Sequence, residues 1–194
     1  MILLGSSLQR ASAVSIQTGG VIGTTSRPII DPAKLTIIAY EITGAITGQQ
    51  PSYILTQDIR ELSDMGLIVD SADELVAPGD VVALDTILSL RFTLVGMRVQ
   101  DERGKKLGKV GDFTLDVASY YIQQLVVKRP LMSSLTDTEL IIHRTQIIEI
   151  NNEAIVVHSE AKAPEPERAE VTGSYINPFR KPTEAASESN ALPN

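Results

Sequence analysis

The run Arg103-Gly104-Lys105-Lys106-Leu107-Gly108-Lys109-Val110, with Leu115-Asp116 behind it, has a diverged counterpart 85 residues upstream, and that pairing decides the fold. In this register Val14 falls over Val99, Gly19 over Gly104, Ile22 over Leu107, Gly23 over Gly108, Ile30 over Leu115 and Asp31 over Asp116. It continues through Ile37 over Ile122 and Ile42 over Val127. The offset then steps to 88, with Ile54 on Ile142, Ile59 on Ile147, Leu62 on Ile150, Ile68 on Val156 and Val69 on Val157. Aliphatic matches alone arise easily in a chain rich in Ile, Leu and Val. Two glycines four apart, an aspartate eight residues further on and two aliphatic blocks at the same spacing do not, so the chain reads as a duplication with three extra residues in one loop of the second copy.

Within each copy the local pattern is β. Leu35–Ile42 and Tyr121–Lys128 are short, rich in Ile, Val and Tyr, and bounded by turn residues. Gly19-Gly20 and Arg103-Gly104 read as hairpin turns in which glycine supplies positive φ. Gly23 and Gly108 fall inside the following strand, where a bulge or tight corner needs them. The segment Gln57–Leu62 and its counterpart Thr145–Ile150 fit either a short helical turn or a bend into a strand, with one 3₁₀ turn favoured in the first copy. Five or six short strands in about 60 residues are best completed by curling into a closed sheet, which removes exposed edges.

This order of hairpin, Gly-x-x-[Ile/Leu]-Gly, strand ending in Asp, aliphatic strand, loop, and Asp-Ile or Gln-Ile before a short apolar strand resembles the PRC-barrel family. Leu94–Val99, Gly104–Val110, Asp116 and Gln146-Ile147 carry the likeness in the second copy. The first copy departs more, with Ala11-Ser12-Ala13-Val14 at its start. The resemblance implies an all-β fold of two small PRC-like barrels in tandem. The expected divisions are barrel 1 over residues 1–75, a packed connector over 76–89, barrel 2 over 90–160 and a disordered tail over 161–194. Relatives in that family include the cytoplasmic domain of a photosynthetic reaction-centre subunit and the C-terminal domain of a ribosome maturation factor, so the resemblance implies an adaptor for other macromolecules.

Composition narrows the chemistry. The chain of 194 residues has no cysteine and no tryptophan, so disulfides, thiolate metal sites and cysteine nucleophiles are excluded and the core must be aliphatic. This suits a cytoplasmic setting. Met1–Leu4 is too short an apolar run for a signal-peptide core, and no stretch approaches a membrane span. Net charge is −7, concentrated in the first copy, which disfavours direct nucleic-acid binding.

Gly104–Lys109 lacks the P-loop spacing, with three residues between its glycines and Val110 after the lysine, and reads as a hairpin. Arg103, Lys105, Lys106 and Lys109 form the densest positive patch, a solvated turn that could also meet an anionic partner. His143 and His158 lack a third ligand or a triad partner and read as solvent-facing. Asp31 and Asp116 follow apolar strands, where carboxylates cap turns through backbone amides. In the tail, Tyr175, Asn177, Pro178, Phe179, Arg180 and Lys181 concentrate aromatic and basic groups that could dock a partner. The connector's Val81–Leu84 is too apolar for a free linker and should pack on a barrel.

No catalytic, cofactor or metal site is expected. The sequence therefore points to a non-enzymatic scaffold or adaptor for a protein partner, with a homo-oligomer compatible. A ribosome- or RNA-associated assembly factor acting through a protein contact is the alternative.

Overall fold

A computed structural model describes residues 1–48, 51–63, 65–129, 139–151 and 153–158. The expected tail, with its six candidate docking residues from Tyr175 to Lys181, lies outside them. In chain order the strands are β1 (Ile2–Leu4), β2 (Ser12–Ser15), β3 (Val21–Asp31), β4 (Thr36–Thr43), β5 (Ser52–Leu55), β6 (Ile59–Ser63) and β7 (Gly66–Val69). Helix α1 (Val82–Ser89) follows, then β8 (Arg98–Asp101), β9 (Lys106–Asp116), β10 (Ile122–Lys128), β11 (Glu139–His143), β12 (Ile147–Ile150) and β13 (Ala154–Val157).

The first sheet runs β5-β4-β3-β2-β7-β6 and the second β11-β10-β9-β8-β13-β12, so the two have one topology. In both, the edge strands are neighbours in sequence. Leu55 and Ile59, and likewise His143 and Ile147, are joined only by a three-residue 3₁₀ turn. Four residues span at most about 14 Å, whereas six flat strands spread over roughly 24 Å at about 4.8 Å per step. Each sheet must therefore curl until its edges approach, giving two barrel-like folds. The 3₁₀ turn favoured for the first copy is present in both, and each leads directly into a strand.

The pairing sharpens the repeat. Ala13 lies opposite Gly23 and beside Leu67, while Val99 lies opposite Gly108 and beside Ile155. The true counterpart of Val99 is Ala13, not Val14. Ala13 and Val99 are both buried, whereas Val14 is half-buried. The hairpin turn occupies residues 16–20 in the first copy but 102–105 in the second, so the offset is 86 before the turn and 85 after it. Matching the glycines hid this one-residue difference. Gly19 and Gly104 do supply positive φ, at 68° and 80°. Bulges occur beside Gly23 and Gly108, and a Cβ on Gly108 would run into the Lys128 carbonyl.

The barrels join through a pair of backbone bonds related by that offset. The Ile37 amide donates to the Tyr120 carbonyl at 3.0 Å, and the Ile122 amide donates to the Leu35 carbonyl at 2.9 Å. Thr36 and Tyr121 form the antiparallel bridge between them. All three partnerships exchange equivalent positions, as a local two-fold axis requires. Leu35 and Tyr120 hold φ of 50° and 58° to aim their carbonyls across the junction. The turns behind them are capped by aspartate as expected. Asp31 Oδ1 accepts from the Ala33 amide at 2.9 Å, and Asp116 accepts from the Ala118 amide at 3.4 Å and the Ser119 hydroxyl at 2.7 Å.

Segments leading into each barrel pack on the other. β1, although it lies within the stretch 1–75, pairs with β9 of the second sheet, and a Cβ on Gly5 would run into the Phe113 ring. The apolar connector is the helix α1, and Leu84 buries itself against Ile29, Ala39 and Tyr53 of the first barrel. The packing of Val81–Leu84 on a barrel is as expected, though in helical form. A single apolar cluster runs through both barrels, from Leu8, Ile22 and Ile37 to Leu115, Ile122 and Ile155.

With a shared core, chemical unfolding should be one cooperative transition, and Ile122→Ala should destabilise it by about 2–5 kcal/mol. Two separate transitions in denaturant titrations followed by circular dichroism would contradict the shared core. The hydrogen bond from Ser119, then the Ala118 amide and the nearby amino-terminus, hold the Asp116 carboxyl below its ordinary range. A depressed carboxyl stabilises the fold above its unfolded pKa and loses that contribution as pH falls through the folded value. Asp116→Asn should therefore be less stable than the parent at neutral pH, with the gap closing below about pH 4.

Candidate functional site

Because the two barrels have the same strand order and one apolar cluster runs through both, the surface that distinguishes them is the place to look for function. The sequence singled out Arg103, Lys105, Lys106 and Lys109, and all four are exposed. The turn that carries the first two is built on Asp101, which is 6% exposed. Its Oδ1 accepts from the Arg103 amide at 2.9 Å and the Lys105 amide at 2.8 Å. The equivalent first-barrel position is the buried Ser15, whose hydroxyl accepts from the Thr18 amide and donates to the Asp70 carbonyl. The carboxylate thus fixes the basic turn through its backbone and leaves the cationic side chains free.

Lys109 does not belong with the turn. Strand register places it directly opposite Arg98 on β8 and directly opposite Lys128 on β10. Three cations therefore form one rung across three adjacent strands, with Glu139 of β11 beyond Lys128. Alternation sends Val99, Val110 and Val127 into the core, so all three cations face outward and are exposed. The Lys128 stem lies across Gly111, which has no Cβ to obstruct it. The same rung of the first barrel is Ser12, Thr24 and Thr43.

Like charges directly opposite each other across strands are destabilising. Among the described residues none of the rung or turn cations forms an ion pair. Two arginines of the first barrel are paired instead. Arg27 pairs with Glu41 at 2.7 Å, and Arg60 makes a two-pronged contact with Asp70, which holds that carboxyl low. Arg98 and Lys109 line an open depression of about 690 Å³ together with Val95, Gly96, Met97 and Glu153. The arrangement can attract and orient an acidic surface.

Arg98 and Lys128 were missed in the sequence because Arg98 stands between uncharged neighbours and Lys128 has only Arg129 beside it, and only strand pairing brings them beside Lys109. Extending the Gly104 hairpin outward would have found Arg98. Lys128 needed the third strand.

A second feature lies at the junction. Arg144 stacks its guanidinium 4.5 Å from the Tyr121 ring centre and donates to the Lys34 carbonyl at 3.1 Å. Between the Pro32–Leu35 turn and β12 it borders a groove of about 400 Å³. The histidines are exposed and separately engaged. The His143 ring accepts from the Thr145 amide while Gln146 accepts from the His143 amide, which boxes in the 3₁₀ turn. His158 Nδ1 lies 3.3 Å from Glu102. Tyr40 is buried in the core, and burial, then its neighbour Tyr120, push its phenol upward, so it stays neutral. Among the described residues no helix is long and apolar enough to cross a membrane.

Six strands with this order, a hairpin-turn glycine and a bulge glycine, a strand-terminal turn aspartate and a Gln-capped turn before β12 are together on residues 94–157. Residues 90–163 match the PRC-barrel domain. The match covers the PRC barrel that carries the basic turn and rung, and it suggests a role in protein interaction or assembly. No curated protein matches the chain.

The unpaired rung gives a direct expectation. Lys109→Thr, which installs the first barrel's residue, should raise the thermal midpoint at low ionic strength. That gain should fade near 1 M salt, where the screening length falls to about 3 Å. A gain independent of salt would mean that repulsion along the rung is not its cause.

Proposed function

We propose that this chain is a non-enzymatic cytoplasmic adaptor built from two diverged PRC barrels, and that it receives an acidic protein surface on the exposed face of the second. The observation that carries this reading is the Arg98–Lys109–Lys128 rung, where three cations replace Ser12, Thr24 and Thr43 on an otherwise equivalent sheet. Such an arrangement costs stability in the isolated fold and offers long-range attraction to a partner. The basic turn at Arg103–Lys106, locked by Asp101, extends the same charge.

The matched domain supports an interaction role, and the acidic first half supports a protein partner over bare nucleic acid, which needs positive charge along its whole contact surface. A ribosome-associated assembly factor fits the same face if its contact is an acidic protein. The test compares capture by the full chain and by the triple variant Arg98→Glu, Lys109→Glu, Lys128→Glu in extract of the native cell. At low salt the parent should retain a nuclease-resistant acidic protein, and the variant should lose it by at least about tenfold. Equal recovery by the two, or recovery abolished by nuclease, would overturn the proposal.

A further inference from the structure

The groove at the junction is lined by residues that the repeat does not preserve. The Pro32–Leu35 turn forms one side of it, and Arg144 with β12 the other. In the repeat register Tyr120 stands in place of Leu35, Thr36 in place of Tyr121, Thr56 in place of Arg144 and Arg60 in place of Ile148. Arg60 is committed to Asp70. An arginine stacked on an aromatic ring beside an exposed isoleucine therefore belongs to the groove and not to its counterpart.

Arg144 is held from three directions. Its backbone lies in the 3₁₀ turn boxed by His143 and Gln146, its guanidinium stacks 4.5 Å from the Tyr121 ring centre, and it donates to the Lys34 carbonyl at 3.1 Å. A guanidinium has five N–H donors, and among the described residues the Lys34 carbonyl is the sole acceptor for this one. No described carboxylate pairs with it. The head is thus fixed, half-buried, and most of its fork is unused. So placed, it loses little freedom on meeting a planar carboxylate, which matches the fork with two parallel bonds.

Most of the remaining lining is aliphatic, from Pro32, Leu35, Ile147, Ile148 and Ile150, and Ile148 is 47% exposed. The charged lining is Lys34 and Arg144 against Glu149, so a single negative charge balances it. A space of about 400 Å³ suits a few side chains of an extended segment rather than a folded surface.

We propose that the groove takes a short extended segment of a partner protein in which one carboxylate is flanked by aliphatic residues. The carboxylate meets the Arg144 guanidinium, and an aliphatic neighbour lies on Ile148. This site does not rest on the basic rung, since Arg98, Lys109 and Lys128 line no part of the groove.

The probe is a blocked pentapeptide, glycine-valine-aspartate-valine-glycine, titrated to millimolar concentration into the full-length chain and followed by heteronuclear NMR. The Arg144 Nε–H signal and the Ile148 amide should shift. Asparagine in place of the peptide's aspartate, or Arg144→Gln in the protein, should weaken binding about tenfold or more. Ile148→Arg installs the first barrel's residue at an exposed position and separates this site from general attraction to positive charge. It should weaken binding even though it adds a cation. Equal or tighter binding by Ile148→Arg, equal binding of the asparagine peptide, shifts centred on Arg98, Lys109 and Lys128, or no shift at all would each overturn the proposal.

Discussion

The reciprocal pair of bonds from Ile37 to Tyr120 and from Ile122 to Leu35 is the constraint on which the arrangement of the barrels depends. Both amides belong to residues with fully buried side chains, and a buried amide without an acceptor costs about 1–3 kcal/mol. Each acceptor comes from the other barrel. To offer it, Leu35 and Tyr120 take left-handed backbone conformations that cost a non-glycine residue about 1–2 kcal/mol. That strain persists because the turns are held from behind by Asp31 and Asp116 and because separating the barrels would strand the amides. The turn, the cap and the junction are therefore one device, present twice.

The exchange of leading segments follows the same symmetry. β1 precedes the first barrel and pairs with the long strand β9 of the second, while α1 precedes the second and packs on the matching strand β3 of the first. Each long strand has eleven residues, more than its short hairpin partner covers, and so leaves a free length for a segment from the other copy. The contact is symmetric in position but not in form. Met1–Leu4 is short and carries no charged side chain, so it can complete a sheet edge. Val82–Ser89 includes Asp85, whose carboxylate binds the Gly79 amide and settles a helix start.

What was legible in the sequence was whatever the core demands at fixed spacing. Alternating aliphatic residues, hairpin glycines and turn aspartates exposed the duplication and the β class, because each answers to a local rule. The junction was not legible, since Leu35 and Tyr120 look unremarkable until their φ values and the opposite strand are known. The one-residue slip between Ala13 and Val14 was concealed by a difference in turn length that glycine matching absorbs. The rung was concealed for another reason: Arg98, Lys109 and Lys128 are far apart along the chain, and cross-strand neighbours become visible only once register is assigned. In the site, the sequence therefore found the turn and missed the row.

Duplication also explains why the outer faces diverge in charge while the interior positions stay mostly apolar. A substitution at Val99, Val110 or Val127 disturbs the cluster running through both barrels, so it is felt by the whole fold. Changing the outward residue beside each of them alters only the surface. Ser12, Thr24 and Thr43 against Arg98, Lys109 and Lys128 is that freedom used on one rung. One copy can thus keep cations such as Arg27 and Arg60 paired, and lend stability to the joint core. The other can carry unpaired cations whose mutual repulsion a barrel standing alone would have to bear by itself. Two barrels locked at their turns allow a division that a single small module, with its limited core, cannot support.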